Sequence, residues 1–419
     1  MRHISKSRVQ VASLHYLLDK PEDTLAANWV SELRHRAYDG AQENKKIKVL
    51  INPFGGKGLA QTLYSREIEP IFAAAKCEID VERTLHRGHA AEIAERLNLS
   101  AYDVVACCSG DGTPHEVFNG LGRRSDAVNA LSEIAVVQLP CGTGNAMSLN
   151  LNGTDSPSLA ALAILKGSRA PLDLTSITQG GKRTLSFLSQ AVGIVAEVDL
   201  GTEHLRWMGS ARFTYGFFVR IMRKTVYPCD LAVNFDVTSK AEIKDLYRRH
   251  VSEQNSIMDA SMDRQSPSDG LPPLQFGAVE ADLPSSFAAV PAKKIGNFYA
   301  GNMALMAPGA NFFPASLPSD GHLDLINIDG EIGRLAAIQC FLAVENGKFF
   351  DNKHVKYSKI GGYRINPLYK GEGYIAIDGE RVPFEAFQAE VHKGLGRTLS
   401  RSVGRYEAEG VASPSMSAG

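Results

Sequence analysis

Short apolar runs that each stop at a glycine-rich turn set the rhythm of the first half of the chain. Val49-Leu50-Ile51 ends at Asn52-Pro53 and Gly55-Gly56-Lys57-Gly58. The run 104–108 enters Ser109-Gly110-Asp111-Gly112-Thr113, and the run 134–139 enters Pro140-Cys141-Gly142-Thr143-Gly144-Asn145. Unbroken apolar runs of this length, bounded by turn residues, predict strands buried on both faces. Helical spacing lies between them, over 60–75, over 89–97 and around Val117 and Leu121. Strand, glycine turn and helix, three times over, predict a doubly wound α/β domain over 47–180.

The pattern then changes. Beyond about Leu172 the apolar stretches become strand-like, at 185–189, 231–237, 298–300, 323–328, 374–377 and 389–392. They predict a β-rich, sandwich-like second domain over 181–400, with the active site in the cleft between the two. The Ser-, Asp-, Met- and Pro-rich stretch 252–273 has no periodicity and marks a disordered insertion within 250–290. Residues 401–419 read as a disordered tail. Ahead of the first domain, 1–46 form an extension, read as the remnant of an upstream module. In it 9–18 suggest a strand, and Pro21-Glu22-Asp23-Thr24 opens an amphipathic helix carrying Trp29, Leu33 and Ala37.

Composition narrows the function. The 419 residues are 44% hydrophobic and 22% charged, which is globular and long enough for two domains. Lys plus Arg (45) nearly balances Asp plus Glu (46), so no overall field recruits nucleic acid. The six cysteines show no metal-binding spacing and several sit in strand-like runs, which points to buried thiols in a reducing compartment. No apolar run is long enough to span a bilayer, so a lipid substrate would be met at the membrane surface from the cytoplasm.

The three turns carry the candidate chemistry. In an open parallel sheet they share one edge, where glycines let backbone N–H groups approach an anion and helix N-termini add positive potential. Together they predict a nucleotide-phosphate cradle. Neither the Walker A spacing nor the dinucleotide fingerprint is present. Asp111 is the only acid in these turns. A carboxylate among phosphates is repelled unless it takes a proton from an attacking hydroxyl or holds Mg2+, although stabilising its own loop is the plainer role.

Asn52-Pro53-Phe54-Gly55-Gly56-Lys57-Gly58, Ser109-Gly110-Asp111-Gly112-Thr113 with Glu116 to Leu121, and Pro140-Cys141-Gly142-Thr143-Gly144-Asn145 resemble the diacylglycerol-kinase catalytic superfamily. Within it the chain is most similar to the sphingosine and long-chain-base kinases. The resemblance implies ATP and Mg2+ as cofactors, with Asp111 as base on a lipid hydroxyl. Around the nucleotide it places Asn52, Gly55, Gly56, Lys57, Thr84, Ser109, Gly110, Gly112, Thr113, Gly142, Thr143, Gly144 and Asn145, with Lys57 equally readable as a solvated charge. The segment 188–213 resembles the lipid-recognition segment. In it Ser189 and Asp199 would meet the sphingoid amine and hydroxyl, and Arg206 and Arg212 would reach the phosphates. A carboxylate suits a sphingoid base because that lipid carries an ammonium beside its reacting hydroxyl; a helix cap is the plainer reading of Asp199. Ile377-Asp378-Gly379-Glu380 resembles the closing signature, bringing Asp378 and Glu380 toward the triphosphate or the metal, in what is also a strong hairpin turn. Ser319 to Asp324 resembles a stretch near which some relatives hold a structural metal.

The implied partners are a sphingoid-base lipid and a transient membrane surface; the oligomeric state stays open. Val192, Glu197 and Cys141 depart from the family pattern and bear on pocket shape. The competing readings are a diacylglycerol or ceramide kinase, an inactive lipid-binding scaffold, and a soluble NAD or sugar kinase. Expected tail-binding candidates are Phe217, Phe218, Ile221, Met222 and the amphipathic stretch 335–344.

Overall fold

The computed structural model describes residues 8–15, 24–202, 211–223, 225–254, 270–368 and 373–411. Four parallel strands, β1 (Lys46–Ile51), β2 (Glu78–Arg83), β3 (Val104–Ser109) and β4 (Ala135–Pro140), form the first sheet in the order β2-β1-β3-β4. The central strands are sealed on both faces. Leu50, Val105, Cys107 and Val136 belong to one apolar cluster, and Val49, Ala106, Cys108 and Val137 to the other. That is why these strands read as unbroken apolar runs. The chain leaves β1 toward β2 and leaves β3 toward β4, in opposite directions, so a crevice opens between their carboxyl ends.

The second sheet has eleven strands. They are β5 (Ser168–Gln179), β6 (Lys182–Ser186), β7 (Ser189–Gly193), β8 (Cys229–Val237), β9 (Ala288–Val290), β10 (Ile295–Gly301), β13 (Leu323–Asp329), β14 (Lys356–Pro367), β15 (Ile375–Ile377), β16 (Glu380–Val382) and β17 (Phe387–Ser400), all paired antiparallel. A small hairpin, β11 (Leu305–Ala307) and β12 (Ala310–Asn311), stands apart. Strand β14 pairs with β8 along one edge and with β13 then β17 along the other, which folds the sheet into layers. Phe298, Tyr363 and Phe387 fill its interior, with Phe298 and Tyr363 ring centroids 4.7 Å apart. An α/β half and an antiparallel β-rich half are the architecture expected.

One apolar cluster spans both halves. Val117, Phe118 and Leu121 of the Gly112–Gly122 helix pack with Leu172, Leu174, Leu185, Phe187 and Leu395 of the β-rich half. The helix that opens at Asp111 is therefore anchored in both. Among the described residues no helix is long and apolar enough to cross a membrane.

Several local expectations change. Residues 9–15 are not a strand; Val9 instead donates its N–H to Ser158 Oγ. The Thr24–Tyr38 helix is present but buries none of its residues. The expected disordered insertion is folded at both described ends. Lys240–Gln254 is helical, and Gln275 and Phe276 donate their N–H groups to Glu390, while Phe276 meets Phe287 edge to face. Two aromatic anchors and one buried carboxylate offset the polar composition there; 255–269 lie outside the described residues. The expected tail is folded through Val411, because Tyr406 is buried and donates to the Asn302 carbonyl. Residues 412–419 lie outside the description.

Candidate active site

The three glycine turns close on one another at the β1/β3 crevice. A Cβ at Gly56 would strike the Cys141 carbonyl oxygen at 2.8 Å, and one at Gly142 would strike Gly110 Cα at 2.4 Å. Backbones this close admit only glycine, and they bring the three turns together at one rim. Asn52 holds its own turn by accepting from Phe54 N (3.0 Å) and reaches Thr113 Oγ1 at 3.5 Å. Asn145 adopts φ +53° and accepts from Gly142 N at 2.9 Å, which fixes the third turn around Thr143 and Gly144. Thr84, buried at the end of β2, donates its N–H to Ile51 O at 2.9 Å and brings the β2 turn to the same edge. Ser109 is buried beneath the rim, whereas Lys57 is exposed on it.

Asp111 sits where these turns meet. Its Oδ1 accepts from Gln138 Nε2 (3.1 Å) and Met147 N (3.0 Å), and its Oδ2 accepts from Ala146 N (3.0 Å). Burial pushes its carboxyl above the ordinary range; the three hydrogen bonds pull the other way, and the charge of Asp378 adds to the rise. The result is a fixed carboxylate with raised proton affinity where the three turns meet, an arrangement that can take a proton from an alcohol.

Asp378 and Glu380 reach this point from the other half on the β15–β16 turn. Asp378 (φ +52°) and Gly379 (φ +80°) form its two central residues, as expected of an Asp-Gly hairpin. Asp378 is buried and bound wholly within the protein. Oδ1 accepts from Ser186 Oγ, Leu188 N and Ser189 N, and Oδ2 from Phe187 N and the His115 ring. It organises the β6–β7 turn, and its oxygens face protein donors rather than the crevice. Glu380 fits a metal role better. Its Oε1 would lie 2.9 Å from a Cβ at Gly112, at the start of the phosphate helix, and its side chain is 37% exposed and paired with Arg87. A partly exposed carboxylate beside a helix N-terminus is a partial ligand set that Mg2+ could use if phosphates completed it. A separate trio, His86, His89 and Glu92, gathers its ligating atoms within 4.8 Å, but His89 Nδ1 already accepts from Leu85 N.

Asp199 lies on the Ile194–Gly201 helix, inside it rather than capping it. Its Oδ2 would be 3.7 Å from a Cβ at Gly379, so the lipid-segment carboxylate, the closing turn and Gly112 occupy one neighbourhood. Ser189 is buried on β7 beside Tyr299, whose phenol is pushed up by burial and is hydrogen-bonded to Ser189. The same helix also supplies Ile194 and Val195 to an apolar cavity of about 90 Å³, with Phe217, Ile221, Phe341 and Val344. Of the expected tail residues, Phe218 is exposed, whereas Phe217 and Ile221 line the cavity with part of 335–344. Glu197 is bound to Arg220 at 2.9 Å. Arg206 and the side chain of Arg212 lie outside the described residues.

Four residues of the site carried no role in the sequence. Gln138 and His115 contact the two aspartates, Glu116 accepts from Gly88 N and Ala90 N, and Arg87 pairs with Glu380 across the crevice. Gln138 had a signal, being the only polar side chain in β4. The metal resemblance at Ser319 to Asp324 resolves differently: the buried Lys359 ammonium binds Asp320 (2.7 Å) and Asp324 (3.0 Å).

Residues 46–177 match the diacylglycerol kinase catalytic domain family. Over 369 residues the chain is 36% identical to sphingoid long chain base kinase 4 of Schizosaccharomyces pombe, covering 88% of this chain and 78% of that protein. The chain belongs to the sphingosine and sphingoid long-chain-base kinase family. It is 31% identical to human sphingosine kinase 1, covering 83% of this chain and 88% of the relative. Against sphingoid long chain base kinase 5 of Saccharomyces cerevisiae the identity is 35%, covering 92% of this chain but only 63% of the yeast protein. A Bacillus anthracis structure described as a diacylglycerol kinase superposes with TM-score 0.51 at 16% identity, covering 85% of this chain and 97% of that one. A second from that organism reaches 0.57 at 19%. At such identity these structures speak to the fold alone.

Proposed function

We propose that this member of the family transfers the γ-phosphoryl group of ATP to the primary hydroxyl of a sphingoid long-chain base. The hydroxyl oxygen attacks phosphorus as its proton passes to Asp111, the bond to the β-phosphate bridge breaks, and ADP leaves with the negative charge. The turn amides around Gly110, Gly112, Thr113 and Gly142–Gly144 hold the phosphates, with Asn52 and Thr84 at the nucleotide's edge. Glu380 would hold Mg2+, which when bound would supply charge neutralisation on the triphosphate. Arg206 and Arg212 take their phosphate roles from the motif.

The observation that carries the reading is the Ile194–Gly201 helix. One end lines an apolar cavity and the other sets Asp199 beside the closing turn. A molecule with a hydrocarbon tail and a cationic head one helix-length away matches that pair of surfaces; a neutral acylglycerol brings no positive charge to the carboxylate. The cavity is smaller than the roughly 300–1,000 Å³ usual for ligand pockets, so tail entry parts the Ala211–Arg223 and Arg334–Glu345 helices. Because the substrate resides in bilayers, the enzyme works in transient contact with a membrane surface. All six cysteines are free, which suits the cytoplasm.

The test is radiolabelled ATP with sphingosine, dihydrosphingosine, ceramide and diacylglycerol in parallel, for the wild type and Asp111→Asn. Sphingoid bases should be turned over best, and the variant should lose about 10²- to 10⁴-fold in kcat. Preferred turnover of diacylglycerol would sink the substrate assignment, and an active variant would sink the base.

A further inference from the structure

His115 projects from the second turn of the phosphate helix toward the β-rich half. Its Nδ1 lies 2.8 Å from Asp378 Oδ2, and its side chain is only 17% exposed. Asp378 also accepts from residues 186–189. Its Oδ1 takes three hydrogen bonds, from Ser186 Oγ (2.6 Å), Leu188 N (3.0 Å) and Ser189 N (2.9 Å), and its Oδ2 takes one, from Phe187 N (3.1 Å). A second acceptor site on Oδ2 is left for the His115 ring, which completes the carboxylate's partners with a bond between the two halves.

One helical turn on, Asn119 makes a second bond of the same kind. Its Oδ1 accepts from Leu185 N and its Nδ2 donates to Leu185 O, both at 2.8 Å. The two contacts have opposite neighbours in function. Asp111 sits at the start of the helix that carries His115, and Gly379, which neighbours Asp199, directly follows the aspartate that His115 grips.

We propose that His115 is a positioning residue, a latch joining the phosphate helix to the β15–β16 turn so that Asp111 and Asp199 keep a fixed separation while the phosphoryl group moves. This rests on the roles given above to those two aspartates. Asp378, Glu380 and Glu116 are the charged groups facing the ring. Burial pulls its basicity down, and those carboxylates outweigh burial and leave it raised. Because a carboxylate only accepts, the Nδ1 that faces Asp378 donates in the neutral ring as in the charged one.

The experiment compares wild type, His115→Ala, His115→Gln and His115→Asn with MgATP and sphingosine in mixed micelles, alongside calorimetric ATP binding. Asparagine sets an amide N–H where Nδ1 stands; glutamine places it one bond too far out. The alanine and glutamine variants should lose roughly ten- to hundredfold in kcat, the effect of a displacement of about 1 Å. Their ATP Kd should stay within about threefold of the wild type, and asparagine should restore most of kcat. Where alanine fails to fold, the glutamine and asparagine pair decides. A kcat within about twofold of wild type for the disrupting variants, an asparagine variant as slow as glutamine, or a parallel collapse of ATP binding overturns the latch. Should the wild type prefer another lipid, the substrate assignment fails while the latch is tested with that lipid instead.

Discussion

Replacing Asp199 by Asn keeps the shape of the proposed lipid site and removes its charge. Asp199 is half-buried beside the closing turn, so its carboxylate is neither freely solvated nor sealed from water. A charge-assisted hydrogen bond in such a place contributes about 1.5–3 kcal/mol, which is about 10- to 150-fold in kcat/KM. The full several-kcal/mol penalty of a sealed ion pair does not apply, because water still reaches one side. A neutral amide-bearing lipid such as ceramide offers no ammonium and should lose less than about fivefold, the effect of one neutral hydrogen bond. The assay is kcat/KM in mixed micelles for sphingosine and ceramide, wild type against Asp199→Asn, with ATP saturating. A uniform loss for both lipids, or no loss for sphingosine, would refute the argument that this carboxylate reads the charge.

Other expectations concern the cavity and the buried charges. Ala337→Trp should fill the cavity beside Phe341 and Val344 and raise KM for long-chain bases more than for short-chain analogues, read from a chain-length series. Lys359→Met strands Asp320 and Asp324 without their ammonium, and should cost about 3–5 kcal/mol in urea unfolding, partly recovered at acid pH where the carboxyls protonate. Asp173 is pushed up to about 8, first by burial and then by Asp320, against its hydrogen bonds from Gly321 and Gly394. A folded pKa above the unfolded one means the native state binds more protons, so this group's contribution is present below about pH 4 and is lost as pH rises through about 8. Stability measured over pH 5–9 should fall toward the alkaline side, and Asp173→Asn should flatten that slope; an unchanged slope in the variant would remove Asp173 as its source.

The convergence of the three glycine turns was legible because its cause is local. A strand that must be buried on both faces leaves a run of apolar residues, and a backbone that must approach an anion or another backbone leaves a glycine. Gly56, Gly110 and Gly142 therefore announce their turns in the sequence, and Asp111 stands out as the one acid among them. The tail and the insertion were misjudged for the converse reason. Tyr406, Phe276 and Phe287 are isolated apolar residues in polar surroundings, and only their partners elsewhere in the fold show that they are anchored.

The sequence by itself determined the two-part architecture, the three turns on one edge and the family, since each depends on spacing within a few neighbouring residues. Only the tertiary structure decided how the acidic residues divide their work. Asp378 and Glu380 are two residues apart in one motif, yet one faces protein donors and the other faces the phosphate helix. The meetings of His115 with Asp378, Arg87 with Glu380 and Lys359 with Asp320 join residues 263, 293 and 39 positions apart. No local pattern encodes such pairs; they exist because tertiary packing, between the halves for the first two and within the β-rich half for the third, brings distant charges within hydrogen-bonding reach.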